Sequence, residues 1–146
     1  MSVLAQKNIL VGVSGGIAAY KTPLLIRQLV KLKSNVKVVM TPSSNEFVTP
    51  LTLSTVSKND VFSEFTTAKN NNPTWNNHVE LVEWADIFII APATSNTISS
   101  MSSARCDNLL LACYLSSSCP VFVAPAMDLE MYKNALNQTN IKKLPN

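Results

Sequence analysis

The sequence predicts an α/β fold in which a parallel sheet lies between two layers of helices, a flavodoxin-like (Rossmann-like) three-layer sandwich. Three observations carry this. Short apolar runs at 8–13, 36–40, 87–91 and 121–124 are too brief for helices and are bounded by polar residues or proline. The stretches between them carry apolar residues at helical spacing, so strands alternate with helices. Polar loops follow the ends of the strands, the rim at which open α/β sheets bind ligands.

Residues 8–13 read as a buried strand that ends in Ser14-Gly15-Gly16. Ile17, Tyr20, Leu24, Ile26, Leu29, Val30 and Leu32 then recur with helical period, and Pro23 predicts a kink or a short first turn. Residues 36–40 form the second strand, ended by Thr41-Pro42. The 43–57 stretch predicts one or two short helices broken at Thr49-Pro50, because a residue before proline avoids helical backbone. Residues 61–65 suggest a short strand, and the Asn-rich 66–77 a loop without regular structure. A short helix follows from His78, with Asn77 as its cap and Glu80 three residues on. The apolar strand at 87–91 ends at Pro92. Residues 96–115 read as a helix in two pieces, 121–124 as the last strand and 127–138 as one final helix.

A length of 146 residues is that of a single domain, 1–146. With 47% hydrophobic and only 14% charged residues, the chain can bury a core and does not have the composition of a disordered protein. No apolar run approaches the roughly 18 residues of a membrane span. A net charge of +3, scattered along the chain, argues against nucleic acid as a partner. Cys106, Cys113 and Cys119 are odd in number, and no export signal precedes them, so a cytoplasmic protein without disulfides is expected. The three are expected as small buried apolar side chains. One histidine and no Cys-x-x-Cys pair argue against a metal site.

Average usage would give roughly ten glycines in this length. There are three, Gly12, Gly15 and Gly16, all in one loop. That loop needs either positive φ or a backbone bare enough for close approach. Gly15 to Thr22 nearly spells a triphosphate-binding loop, but Tyr20 stands where the glycine before the lysine is required, and no Gly-x-Gly-x-x-Gly spacing occurs. What remains is Ser14-Gly15-Gly16 at a helix start, suited to one phosphate monoester. Thr94-Ser95-Asn96-Thr97, at another helix start, offers three hydroxyls to the same anion, and Thr41 to Ser44 borders the rim. Such residues also serve as ordinary helix caps, but two polar starts beside a glycine cluster favour a ligand.

Five motifs occur in one order: Gly12 to Lys21, Asn-Asn-His78-Val-Glu-Leu, Ala91 to Thr97, Asp107-Asn108-Leu109-Leu110, and Pro125 to Tyr132. In these the chain resembles the flavin-containing cysteine decarboxylases, most of all the branch that acts in coenzyme A synthesis, from roughly Lys7 to Leu144. The resemblance implies bound FMN and active sites between subunits of a homotrimer or a dodecamer of trimers. It places FMN contacts on Gly15, Gly16, Ile17, Ser43, Ser44, Phe47, Thr94, Ser95, Asn96, Thr97 and Ala126, to which the loop reading adds Ser14 and Thr41. It places catalytic residues on His78, the family's histidine, and Asp128, and substrate contacts on Asn108, Met127, Asp128 and Met131. The implied substrate is 4'-phosphopantothenoylcysteine, whose cysteine is oxidised and loses its carboxylate as CO₂; a phosphopantothenate–cysteine ligase domain is the implied fusion partner. A peptidyl-cysteine oxidative decarboxylase and a flavin-binding protein without turnover are the alternatives.

Asp128 and Tyr132 stand where the family usually has Asn and Trp, and the glycine usual before Asp107-Asn108 is missing around Ser103-Ala104-Arg105. No cysteine up to Asn146 lies in a context matching the family's substrate-covering clamp. His78, in the first turn of a helix whose dipole disfavours an imidazolium, is expected to act as a proton acceptor. Asp128, unless protonated, needs a cation beside it to face a carboxylate, and Lys133 or a residue of a neighbouring subunit is expected to provide it. Trp75 and Trp84 are expected as core or interface aromatics.

Overall fold

The computed structural model describes residues 2–69 and 71–144. In chain order its elements are β1 (Asn8–Val13), α1 (Thr22–Lys31), β2 (Asn35–Met40), α2 (Pro50–Ser57), β3 (Val61–Phe62), β4 (Thr66–Lys69), β5 (Asn72–Trp75) and α3 (His78–Trp84). Then come β6 (Ile87–Ala93), α4 (Ser95–Ser102), α5 (Leu109–Ser116), β7 (Val121–Pro125), α6 (Leu129–Lys133) and α7 (Ala135–Lys143). Five strands form one parallel sheet in the order β3-β2-β1-β6-β7. The chain winds outward from β1 to β3, then returns to the other side of β1. The crevice at that reversal, beyond the carboxyl ends of β1 and β6, is where such sheets take ligands.

Alternation along the strands feeds two cores. Leu10 of β1 and Phe88 and Ile90 of β6 pack with Leu81, Ile98, Met101, Leu109 and Leu110 under α3, α4 and α5. Ile9, Val11 and Val13 of β1 pack with Val38, Met40, Ile26 and Leu53 under α1 and α2. The second layer is narrower than the sequence implies. The crossovers that carry α1 and α2 span only β1 to β3, so Ile87 and Ile89 of β6 are half-buried and Phe122 of β7 is 58% exposed.

Pro23 acts as a start and not as a kink. A 3-10 turn over Ile17–Lys21 precedes it, and it sits in the first turn of α1, where its missing N–H costs nothing. The Thr49-Pro50 break appears as expected, with the Thr49 hydroxyl accepting from the Thr52 N–H.

Four expectations are corrected. The strand at 61–65 shrinks to two residues, and 66–77 is not featureless, because β4 and β5 pair as an antiparallel hairpin. Its turn uses Asn71 at φ 63°, Asn76 donates to the Glu64 carbonyl and the Thr67 hydroxyl at 2.7 Å each, and Phe65 stacks on Trp75. Both faces of this hairpin are largely polar, so no hydrophobic alternation marks it in sequence. The single helix at 127–138 is two helices, α6 and α7. Asn134 leaves the helical region (ψ 133°) and accepts from the N–H groups of Leu136 and Asn137. Finally, of the cysteines only Cys113 is buried; Cys119 is half-buried and Cys106 exposed.

Candidate functional site

At the crevice three loops meet on bare backbone. A Cβ on Gly15 would strike the Ser43 side chain (Cβ at 2.9 Å) and its carbonyl carbon (3.0 Å). A Cβ on Gly16 would lie 3.0 Å from Thr94 Cγ2. None of the three glycines has positive φ, so close approach explains their clustering, not turn geometry. Gly12 belongs to the packing beneath, where a Cβ would meet Leu110 and Phe88 at 3.0 Å.

Ser14 ties two of the loops together. Its buried hydroxyl donates to the Pro92 carbonyl and accepts the Thr94 N–H at 3.0 Å. Ser44 is likewise buried, its hydroxyl donating to the Thr41 carbonyl at 2.7 Å, while Thr41 and Ser43 share a hydrogen bond at 3.2 Å. Ser14 and Ser44 therefore brace the rim with hydroxyls turned inward, each donating to a carbonyl of its own chain. At the start of α4 the Thr94 hydroxyl caps the Thr97 N–H at 3.2 Å. Ser95 donates its hydroxyl proton to Asn137 Oδ1 at 2.6 Å, so the expected three hydroxyl donors reduce to those of Thr94 and Thr97. Asn137, a residue the sequence did not single out, also donates to the Met131 carbonyl and ties α6 to α4.

Two clefts open from these loops. A polar one of about 360 Å³ is lined by Thr41, Ser43, Asn96, Thr97, Ser100, Arg105, Asp107 and Asn108. A more apolar one of about 460 Å³ is lined by Gly16, Ile17, Ala18, Ser95, Ala126, Met127, Asp128 and Met131. Hydroxyls and amides in one and methionines and small residues in the other suit a ligand with a polar and a flat apolar part. The cavity of about 510 Å³ beside β7, walled by Tyr114, Val121, Val123 and Ile141, is larger but carries no converging polar groups.

Asn108 caps α5 through its Oδ1, which accepts the Leu111 N–H at 2.9 Å and leaves its amide NH₂ free to donate. Asp128 caps α6, its Oδ1 accepting the Met131 N–H at 2.9 Å. Lys133, expected as its cation, has its Nζ 3.9 Å from Glu130, both side chains largely exposed. Ile17 is 77% and Phe47 41% exposed among the described residues. His78 stands apart. It opens α3 beside the Asn77 cap, lines neither cleft, and its buried Nδ1 has no hydrogen-bond partner among the described residues. The sequence marks Ser103-Ala104-Arg105 only for a missing glycine and Ser100 not at all; the structure puts Ser100, within α4, and Arg105, just after it, on the polar cleft.

These features can be set beside known proteins. The Flavoprotein family matches residues 2–146. The "Coenzyme A biosynthesis bifunctional protein CoaBC" of Bacillus subtilis is 40% identical over 97% of this chain, which spans about a third (34%) of that relative's length. The "Probable phosphopantothenoylcysteine decarboxylase" of Streptococcus mutans is 43% identical over 94% of this chain and 77% of its own. Among solved structures, the FMN-dependent cysteine decarboxylase SpaF superposes with a TM-score of 0.85 at 28% identity, covering 98% of this chain and 81% of that one. A PPC decarboxylase mutant complexed with pantothenoylaminoethenethiol does so at 0.80 and 30%, covering 96% and 78%. The braced glycine loop, the polar start of α4 and these matches along nearly the whole chain agree, and the chain belongs to the Flavoprotein family.

Proposed function

We propose that this chain is an FMN-binding decarboxylase of 4'-phosphopantothenoylcysteine, active as a homo-oligomer. The observation that carries the reading is the cradle at Gly15 and Gly16, where any side chain would fill the space against Ser43 and Thr94. Around that bare backbone the hydroxyls of Thr94 and Thr97 and the Thr41–Ser43 pair would hold a phosphate, with Ala126, Met127 and Met131 against the ring system. Bound FMN would supply the hydride acceptor for oxidation of the substrate's cysteine.

The chain's own residues then have distinct tasks. Asn108 Nδ2 and the second oxygen of Asp128 would orient the substrate's amide, Asp128 accepting its N–H. His78 would take the thiol proton. Because His78 lines neither cleft of its own chain, the reading requires a second copy to bring it to the site. The bare strip around Ile17, Tyr20, Leu24 and Phe122, each more than half exposed, is the apolar surface for such an assembly. The 43% identity with the Streptococcus mutans relative, against 28% with the cysteine decarboxylase SpaF, favours the coenzyme A precursor over a peptide substrate.

The test combines cofactor identity with turnover. Extracted chromophore should run as FMN, not FAD, and the protein should release CO₂ from 4'-phosphopantothenoylcysteine. Recovered FAD, or a yellow protein inert toward that substrate but active on a C-terminal peptidyl cysteine, overturns the assignment. His78→Asn should retain flavin and lose CO₂ release; a colourless variant, or one with full activity, refutes the role of His78.

A further inference from the structure

The polar cleft contains one cation among its lining residues, and the reading above leaves it unused. We propose that Arg105 is a phosphate-recognising residue of this cleft, its guanidinium taking the phosphate monoester of a bound ligand, either FMN or a phosphorylated substrate. For FMN as the source, this rests on the function proposed above.

Backbone geometry fixes where Arg105 stands. Ala104 adopts φ 58°, in the left-handed region, and turns the chain back at the end of α4. The Arg105 N–H donates to the Ser100 carbonyl at 2.9 Å and the Ala104 N–H to that of Met101 at 3.3 Å. An alanine held at positive φ is uncommon, so this turn is maintained against a local preference. It sets Arg105 on the cleft wall shared with Thr41, Ser43, Asn96 and Thr97. Ser43 is the residue against which Gly15 packs, so the guanidinium and the bare glycine backbone border one space.

The side chain is held but not committed. Its Nη2 lies 3.2 Å from Asp107 Oδ2, and both side chains are more than half exposed. An exposed pair of this kind is weak and readily exchanged. A phosphate offers the planar guanidinium fork a doubly charged partner in matching geometry. Asp107 has the opposite effect, since it competes for Arg105 and repels the anion. The two residues should therefore act on a phosphate ligand with opposite signs.

Affinities of the full chain are measured for two ligand pairs, FMN against riboflavin and 4'-phosphopantothenoylcysteine against pantothenoylcysteine. If the phosphate is that of FMN, Arg105→Ala should lose tenfold or more on FMN, about 1.4 kcal/mol, and leave riboflavin unchanged. Asp107→Asn should tighten FMN severalfold without affecting riboflavin. If the phosphate is the substrate's, the same pattern appears in the second pair alone. Equal losses on both members of each pair, or no loss on any, overturn the proposal. Inorganic phosphate is titrated in parallel while the Arg105 Nε–H resonance is followed by NMR; a resonance that does not move also overturns it. Wild-type protein that binds neither flavin refutes the flavin reading, while the substrate pair and the phosphate titration still decide the role of Arg105.

Discussion

Phe88 and Phe122 sit on neighbouring strands of the same sheet and have opposite fates. Phe88 is fully buried among Leu10, Leu110 and Met101, whereas Phe122 is 58% exposed on a strip of β6 and β7 that no helix covers. Within β6 alone, Phe88 and Ile90 are sealed while Ile87 and Ile89 are half-open. The difference is one of layer coverage, not of strand composition. One face of the sheet is finished by its own chain, and the other is finished only over β1 to β3.

Breaking the sealed face should have the largest effect. Phe88→Ala removes a large side chain from a packed core and should cost about 3–5 kcal/mol, read as a fall in Tm and in denaturant midpoint. A cost below about 1 kcal/mol would mean that this core is not closed.

Cys113 probes the same face with pH. Burial, with Cys106 nearby, pushes its thiol up to about 12. Between about pH 9 and 12 the unfolded thiol is ionised and the folded one is not, so the unfolded state binds fewer protons and stability falls as pH rises. The slope reaches at most about 1.4 kcal/mol per pH unit. Cys113→Ala should flatten the decline of Tm between pH 9 and 11, and an unchanged slope would place its cause elsewhere.

On the open face, Phe122→Ser should change monomer stability by no more than about 0.5 kcal/mol, as surface substitutions generally do. Sedimentation should instead show a smaller assembly at micromolar concentration. A large loss of stability with unchanged sedimentation would show that the strip is a covered part of the monomer.

The smallest effect on stability is expected at Asp128. Asn is as good a helix cap as Asp, so Asp128→Asn should keep α6 and leave Tm within about 0.5 kcal/mol. The cap occupies Oδ1, so the variant would turn its amide NH₂ toward the substrate N–H that Asp128 is proposed to accept, and CO₂ release should fall tenfold or more. Activity within a few-fold of wild type would refute that role of Asp128.

Much of the fold was legible because short apolar runs and helical spacing are local signals. The strands at 8–13 and 87–91 (the latter running on through Pro92 to Ala93), the Thr49-Pro50 break and the Asn77 cap all follow from chemistry within a few residues. The β4–β5 hairpin was not, since it is held by Asn76 and by a Phe65–Trp75 stack between residues ten apart with polar faces. The division of 127–138 was missed because Asn134 acts as a cap only once its side chain turns toward the following N–H groups.

By itself, then, the sequence determined the alternation of elements, the glycine cluster and the polar starts that make a rim able to hold a phosphate. Tertiary structure decided which hydroxyls face that rim, because Ser14 and Ser95 are committed to partners 78 and 42 residues away. It also decided that Arg105 joins the cleft and that His78 does not. The physical reason is the same in each case: a hydrogen bond or a cleft wall is made by residues distant in sequence, and no local pattern records which of them will meet.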